Sequence, residues 1–189
     1  MAAMAPSEKP YLKTSVFTLA KNRIVWLLVL MVSSMITGGI LGKYEAAFAA
    51  VPLLVTFSPM LTETGGNAGS QSSTMIIRGM AVGEIELGDF LKVLWKELRV
   101  SLLVGLILSA VNFVRLEIQY PGNTMVSLTV AGAMLVTVVL AKSIGSMLPI
   151  LAKRCHVDPT IMAAPLITTL VDAVSLIVYF NLAQRLLGL

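Results

Sequence analysis

Two acids, Glu63 and Asp172, lie inside stretches built almost wholly from apolar and small polar residues, Ala46 to Ile77 and Pro159 to Leu182. If those stretches cross a bilayer, a charged carboxylate near the centre costs at least ~2.5–3.5 kcal/mol on insertion scales. An acid kept there is a candidate functional group. Asn67, Gln71 and several Ser and Thr hydroxyls flank Glu63. Thr168, Asp172, Ser175 and Tyr179 fall at i, i+4, i+7 and i+11, one polar stripe on a helix. This is an all-oxygen set, the kind that hard cations prefer. The lone Cys155 allows no internal disulfide, and with the lone His156 it supplies no zinc site of ordinary composition. Mg2+ sheds water reluctantly and is usually held by one or two carboxylates through retained waters. An Asp172 on a two-fold axis would present a pair of carboxylates to one hydrated ion. To this point the chemistry selects a cation pathway, not a particular cation.

Other readings of the same residues are weaker. Asp172 could be protonated or paired with Lys142. The polar run Thr62 to Thr74 could be a tight helix–helix contact of Gly, Ser and Thr. It is not a phosphate-cradling loop, because the GK[ST] ending is missing. A hydrolase using Ser70 or Ser72 lacks an intramembrane base, since His156 sits in a loop beside Lys153 and Arg154. No enzyme is expected. A non-conducting scaffold packed through Gly38-x-x-x-Gly42 would leave Asp172 without a role.

The elements that must position these groups follow from composition. Of 189 residues, 57% are apolar and 13% charged, and the mean hydropathy is +0.87. Soluble domains carry about 25% charged residues, so a soluble fold is excluded. A bilayer core of about 30 Å needs roughly twenty helical residues. Ile24 to Leu41, Ala46 to Ile77, Val100 to Val114 with its flanks, Val126 to Ile150 and Pro159 to Leu182 supply five spans. An all-α membrane protein is expected, with a cytoplasmic arm at 1–22 and one transport domain at 23–189. The first span is too long for a signal core, and Lys43 and Glu45 separate it from the small residues Ala47-Phe48-Ala49.

The formal net charge of +4 sets orientation and does not mark a nucleic-acid surface. With a cytoplasmic N-terminus, the inner side receives Lys9, Lys13, Lys21, Arg23, Arg78, Lys92, Lys96, Arg99, Lys153 and Arg154. The outer side receives only Lys43, Arg115 and Arg185, and the C-terminus lies outside. Tyr44 and Tyr120 then fall at outer interfaces and Trp26 near the inner one. Lys142 lies late in an inward-running helix, where snorkelling to the cytoplasmic headgroups is expected.

Two local features complete the expectation. Ala46 to Ile77 is too long for one straight crossing, and Pro59 with Gly65-Gly66 predicts a broken second helix lining a wet cavity. Gly88 to Arg99 places Leu91, Leu94, Trp95 and Leu98 opposite Lys92, Lys96 and Arg99. That pattern predicts a short interfacial helix over 88–99, with Asp89 able to cap its start.

The chain resembles the transmembrane domain of the MgtE family of magnesium transporters. One motif is Pro59 followed by Gly65-Gly66-Asn67-Ala68-Gly69, Gln71-Ser72 and Arg78-Gly79-x-Ala81-x-Gly83-Glu84. The other is Asp158-Pro159 followed by Pro165-Leu166-x-Thr168-Thr169-x-x-Asp172. Order and spacing match along essentially the whole chain. The resemblance implies a homodimer in the cell (inner or plasma) membrane, with an Mg2+ pathway at or near the dimer interface. The second and fifth helices would line it. Asp172 would bind hydrated Mg2+, with carbonyls near Thr168 and the side chain of Asn67 as neighbours. Gly66, Ser70, Gln71, Ala164, Thr169 and Ser175 are further pore-lining candidates.

Glu63 departs from the family pattern. It implies a second cation site, or a Na+- or H+-coupled exchanger or exporter as the alternative. Ala163-Ala164, where some relatives carry polar residues, bears on selectivity. Family members precede this domain with a cytoplasmic acidic domain, paired CBS domains and a connecting helix. Only Met1 to Asn22 stands ahead of the first span here, which fits either a trimmed chain or a lineage lacking that sensor; eukaryotic solute-carrier relatives suggest exchange or export.

Overall fold

A computed structural model describes residues 11–162 and 164–188, apart from the side chains at 11, 26, 46–48, 161, 162, 164 and 165. The expectations placed on Lys9, Trp26 and Ala164 lie outside that description. Every element among the described residues is helical. Besides 3-10 turns at Tyr11–Lys13 and Leu87–Asp89, they are in chain order α1 (Val16–Lys43), α2 (Glu45–Ala50), α3 (Leu53–Ala81), α4 (Phe90–Gln119), α5 (Thr124–Arg154), α6 (Pro159–Met162) and α7 (Ala164–Leu187).

By length and composition, four helical stretches among the described residues suffice to cross a membrane: Val16–Lys43, Leu87–Gln119, Thr124–Arg154 and Leu166–Leu187. The remaining long helix, α3, has 29 residues but carries the Thr-, Ser- and Gly-rich run with Glu63. At about 1.5 Å per residue it still reaches across a hydrocarbon core.

The second apolar region is interrupted, but not where Pro59 and Gly65-Gly66 predict. The interruption falls at Val51-Pro52, between α2 and α3, and α3 then runs unbroken through Pro59 to Ala81. Nearby hydroxyls serve the backbone around the proline. Ser58 Oγ donates to the Leu54 carbonyl at 3.3 Å, and Thr62 Oγ1 to the Ser58 and Pro59 carbonyls at 3.2 and 3.0 Å. The glycines do not break the helix; they let other helices approach it.

The interfacial helix expected over 88–99 is also corrected. After a 3-10 turn at Leu87–Asp89, those residues enter α4, which continues without a break from Phe90 to Gln119. No Gly or Pro lies between Phe90 and Val104 to end it. Asp89 forms a reciprocal box with Glu86 ahead of α4, accepting from the Glu86 N–H at 3.1 Å. It also pairs with Lys92 at 2.8 Å.

Short connections make sequential long helices antiparallel, and α5 is the shared element: it packs against α3, α4 and α7. Leu54, Leu61, Val130, Val138, Ile167, Val171 and Phe180 form the main core. At one end Tyr44 stacks on Phe180 with ring centroids 4.8 Å apart, and Tyr120 meets Phe57 edge-on at 5.6 Å. Tyr44 and Tyr120 therefore share one end of the bundle. Helix α1 packs against α7 and otherwise presents Val25, Met31, Val32 and Met35 to the surroundings.

The tightest helix contacts involve glycine. A Cβ placed on Gly145 of α5 would collide with the backbone carbonyl of Gly69 of α3. One on Gly69 would lie 2.8 Å from Ile167 Cγ2 and 3.0 Å from the Ala141 carbonyl oxygen. One on Gly65 would lie 2.7 Å from both Thr137 Cγ2 and Val171 Cγ1. Gly145→Ala is therefore expected to force α3 and α5 apart and cost about 1–3 kcal/mol, read as a lower thermal midpoint. Gly132→Ala, on the same helix with nothing within 4 Å of the added Cβ, should leave the midpoint equal or higher. Equal midpoints for Gly145→Ala and the native chain would contradict the contact.

Candidate functional site

The site lies where α3 and α7 meet. Its recess has a volume of about 300 Å3 and is lined by Thr62, Glu63, Gly66, Asn67, Thr168 and Asp172. Four residues of α3 reach it because 62, 63, 66 and 67 fall on one helical face. Thr168 and Asp172 are one turn apart on α7. Gly66 sets the depth: a Cβ there would come 3.1 Å from Thr168 Cγ2.

The polar face of α3 continues beyond this recess. Asn67, Ser70, Gln71, Thr74 and Met75 line a second, more open depression of about 610 Å3, and Asn67 belongs to both. Thr74 Oγ1 donates to the Ser70 carbonyl at 2.9 Å, which satisfies the hydroxyl within the helix. Glu63, Asn67, Gln71 and Thr74 are exposed, and Thr168 and Asp172 are half-buried. The result is a polar track along α3 with the Asp172 carboxylate beside it.

The residues singled out from sequence divide cleanly. Glu63, Gly66, Asn67, Thr168 and Asp172 are brought together, and Ser70 and Gln71 extend the same face. Ser175 is not part of it. It is buried at 1% exposure and faces Gly65, whose added Cβ would lie 3.2 Å from Ser175 Oγ. Tyr179 is also buried and donates to the Leu54 carbonyl at 3.0 Å. The stripe on α7 thus splits, with two members facing the recess and two the interior. Thr169 lines neither depression.

Lys142 departs most from expectation. It does not snorkel to an interface: it is 6% exposed, donates to Ser72 Oγ at 3.1 Å, and lies 3.8 Å from Glu97 Oε2. Ser72 Oγ donates to that same oxygen at 2.6 Å. Lys142 is therefore engaged by Glu97 and Ser72, not by Asp172. Glu97, its partner, is itself buried. Sequence spacing could not pair three residues on three different helices. Thr62, by contrast, was within reach, since it precedes Gly66 by four positions.

Chemically, the recess offers two carboxylates, one amide oxygen and two hydroxyls. Among the described residues no group of three His, Cys, Asp or Glu side chains could hold a metal. At the loop before α7, Asp158 accepts from the Thr160 N–H and hydroxyl, both at 2.8 Å, and these bonds hold its carboxyl below the usual range.

The MgtE family model, described as a divalent cation transporter, matches residues 58–182. The magnesium transporter MgtE of Thermus thermophilus is 40% identical over 166 residues, which cover 87% of this chain and 36% of that protein. MgtE of Bacillus subtilis is 32% identical over 170 residues, 90% of this chain and 38% of the relative. MgtE of Enterococcus faecalis is 28% identical over 165 residues, covering 87% and 36%. The matched region is thus a little over a third of these relatives' length.

The split of the stripe can be read by thiol labelling. Cys155 is free and exposed, so a Cys155→Ser background removes the native signal. In it, Asn67→Cys, Gln71→Cys and Thr168→Cys should react with a membrane-impermeant thiol reagent, and Mg2+ should slow the reaction at 67 and 168. Ser175→Cys should stay unmodified in the folded protein; labelling it as fast as Asn67→Cys would contradict the geometry.

Proposed function

The chain belongs to the MgtE family of divalent cation transporters, and from that premise we propose that it carries Mg2+ across a membrane through a pathway lined by α3 and α7. The family is one of transporters, not enzymes, and the chain's several apolar helices are those of a multi-pass membrane protein. The observation that carries the proposal is the shared recess of Glu63, Gly66, Asn67, Thr168 and Asp172. In this reading Asp172 accepts hydrogen bonds from the waters of a hydrated ion. Asn67 and the region of Thr168 complete its polar surroundings.

Membrane physics supports a homodimer. A polar track with two carboxylates cannot face lipid, because neither its charges nor its amides find partners there. A second copy placed against α3 and α7 covers the track and brings two Asp172 side chains to one aqueous path. The distribution of Lys and Arg supports a cytoplasmic N-terminus and an external C-terminus in the cell membrane.

A second reading is favoured by one observation: Glu63 lines the same recess as Asp172. If Glu63 binds Na+ or a proton, Mg2+ and that ion would compete or couple, and transport would be exchange.

In proteoliposomes, Asp172→Ala is expected to bring Mg2+ uptake down to the level of empty vesicles while size-exclusion elution stays that of the native assembly. Undiminished uptake would overturn the assignment. Glu63→Gln separates the two readings. Uptake that ignores a Na+ or H+ gradient in both native chain and variant supports a simple pathway. Dependence in the native chain that Glu63→Gln removes supports the exchanger.

A further inference from the structure

Away from the recess, three side chains meet in the interior where α3, α4 and α5 pack. Ser72, Glu97 and Lys142 are 0%, 9% and 6% exposed. The Lys142 ammonium donates to Ser72 Oγ at 3.1 Å, and the Ser72 hydroxyl donates to Glu97 Oε2 at 2.6 Å. The ammonium also lies 3.8 Å from that oxygen. Because the Ser72 proton points to Glu97, the oxygen lone pairs of Ser72 face the ammonium. One hydroxyl oxygen at 3.1 Å and one carboxylate oxygen at 3.8 Å therefore face a single buried positive charge. Those are the ligands that a small monovalent cation takes from a protein. Here the cation is on a side chain.

Glu97 also has access to solution. It lines a depression of about 440 Å3 that shares no lining residue with the Asp172 recess. The charged groups around this depression are Glu84, Asp89, Lys92 and Lys96. Lys92 is paired with Asp89 at 2.8 Å, and Lys96 is exposed. Neither replaces Lys142 at the buried oxygen.

We propose that Glu97 and Ser72 form an internal monovalent-cation site, filled in this chain by the tethered ammonium of Lys142, and that removing the tether opens the site to free Na+ or K+. The proposal does not rest on the transport reading, because its test measures folding alone. It gives the buried lysine a role, since the chain then supplies its own counter-charge beside α3 and draws none from solution.

The test is thermal unfolding of the full chain in detergent, in NaCl, KCl and N-methyl-D-glucamine chloride at matched ionic strength. The native midpoint should be the same in all three. Lys142→Ala should melt on the order of 10 °C lower in N-methyl-D-glucamine and regain a saturable part of the loss in Na+ or K+. Lys142→Ala with Glu97→Gln should lose the salt response and melt closer to the native chain. The proposal is overturned if Lys142→Ala ignores the cation, or if the double variant responds as strongly as the single. It is overturned equally if Lys142→Ala fails to fold in every salt, since a free cation should rescue it.

Discussion

The close approach of α3 to its neighbours is the constraint on which the rest of the structure depends. Gly69 and Gly145 let two backbones meet where no side chain fits, and Gly65 and Gly66 admit Val171, Ser175 and Thr168 of α7. Without that approach the polar face of α3 and the Asp172 carboxylate would not share one recess. The same glycines that a soluble-protein reading treats as helix breakers serve here as packing surface, as small residues do between membrane helices. Their cost in helix propensity is offset because the neighbours fill the space a Cβ would occupy.

Charge is sorted around this contact. On one side of α3, Lys142, Ser72 and Glu97 are buried and satisfy one another. Losing one partner of such a buried pair typically costs ~3–5 kcal/mol, so the cluster also ties α3 to α4 and α5. On another face of α3, Glu63 lines one recess together with Asp172 of α7. A bundle that needed only to be stable would have no reason to keep two acids on its open face. One set of charges holds the helix; in the proposed reading the other is presented to the transported ion.

Much of the site is legible in the sequence because ion chemistry constrains residue types strongly. An acid within an apolar run stands out, and Glu63, Asn67, Thr168 and Asp172 are all identifiable from their surroundings or from the resemblance their motifs carry. The fold is legible to the level of long apolar helices. The backbone break is misplaced when Pro59 is weighed without the hydroxyls of Ser58 and Thr62, which bond to the carbonyls of Leu54, Ser58 and Pro59 itself. Treating Thr62 to Thr74 as irregular also hides its helical period, and with it the contribution of Thr62 and Thr74. Ser175 faces Gly65 in the interior, a placement periodicity does not reveal because it puts residues on a face without saying which neighbour covers it. Lys142 depends on α3 and α4 both, and no local pattern encodes a pairing across three helices.

The central claim is that a single hydrated cation is shared by Asp172 from two copies of the chain. Titration of the purified protein with Mn2+, read by electron paramagnetic resonance as a paramagnetic stand-in for Mg2+, tests it most directly. The account predicts one Mg2+-displaceable ion bound for every two chains, lost in Asp172→Asn with the assembly intact. One ion per chain, or binding that survives Asp172→Asn, would contradict it.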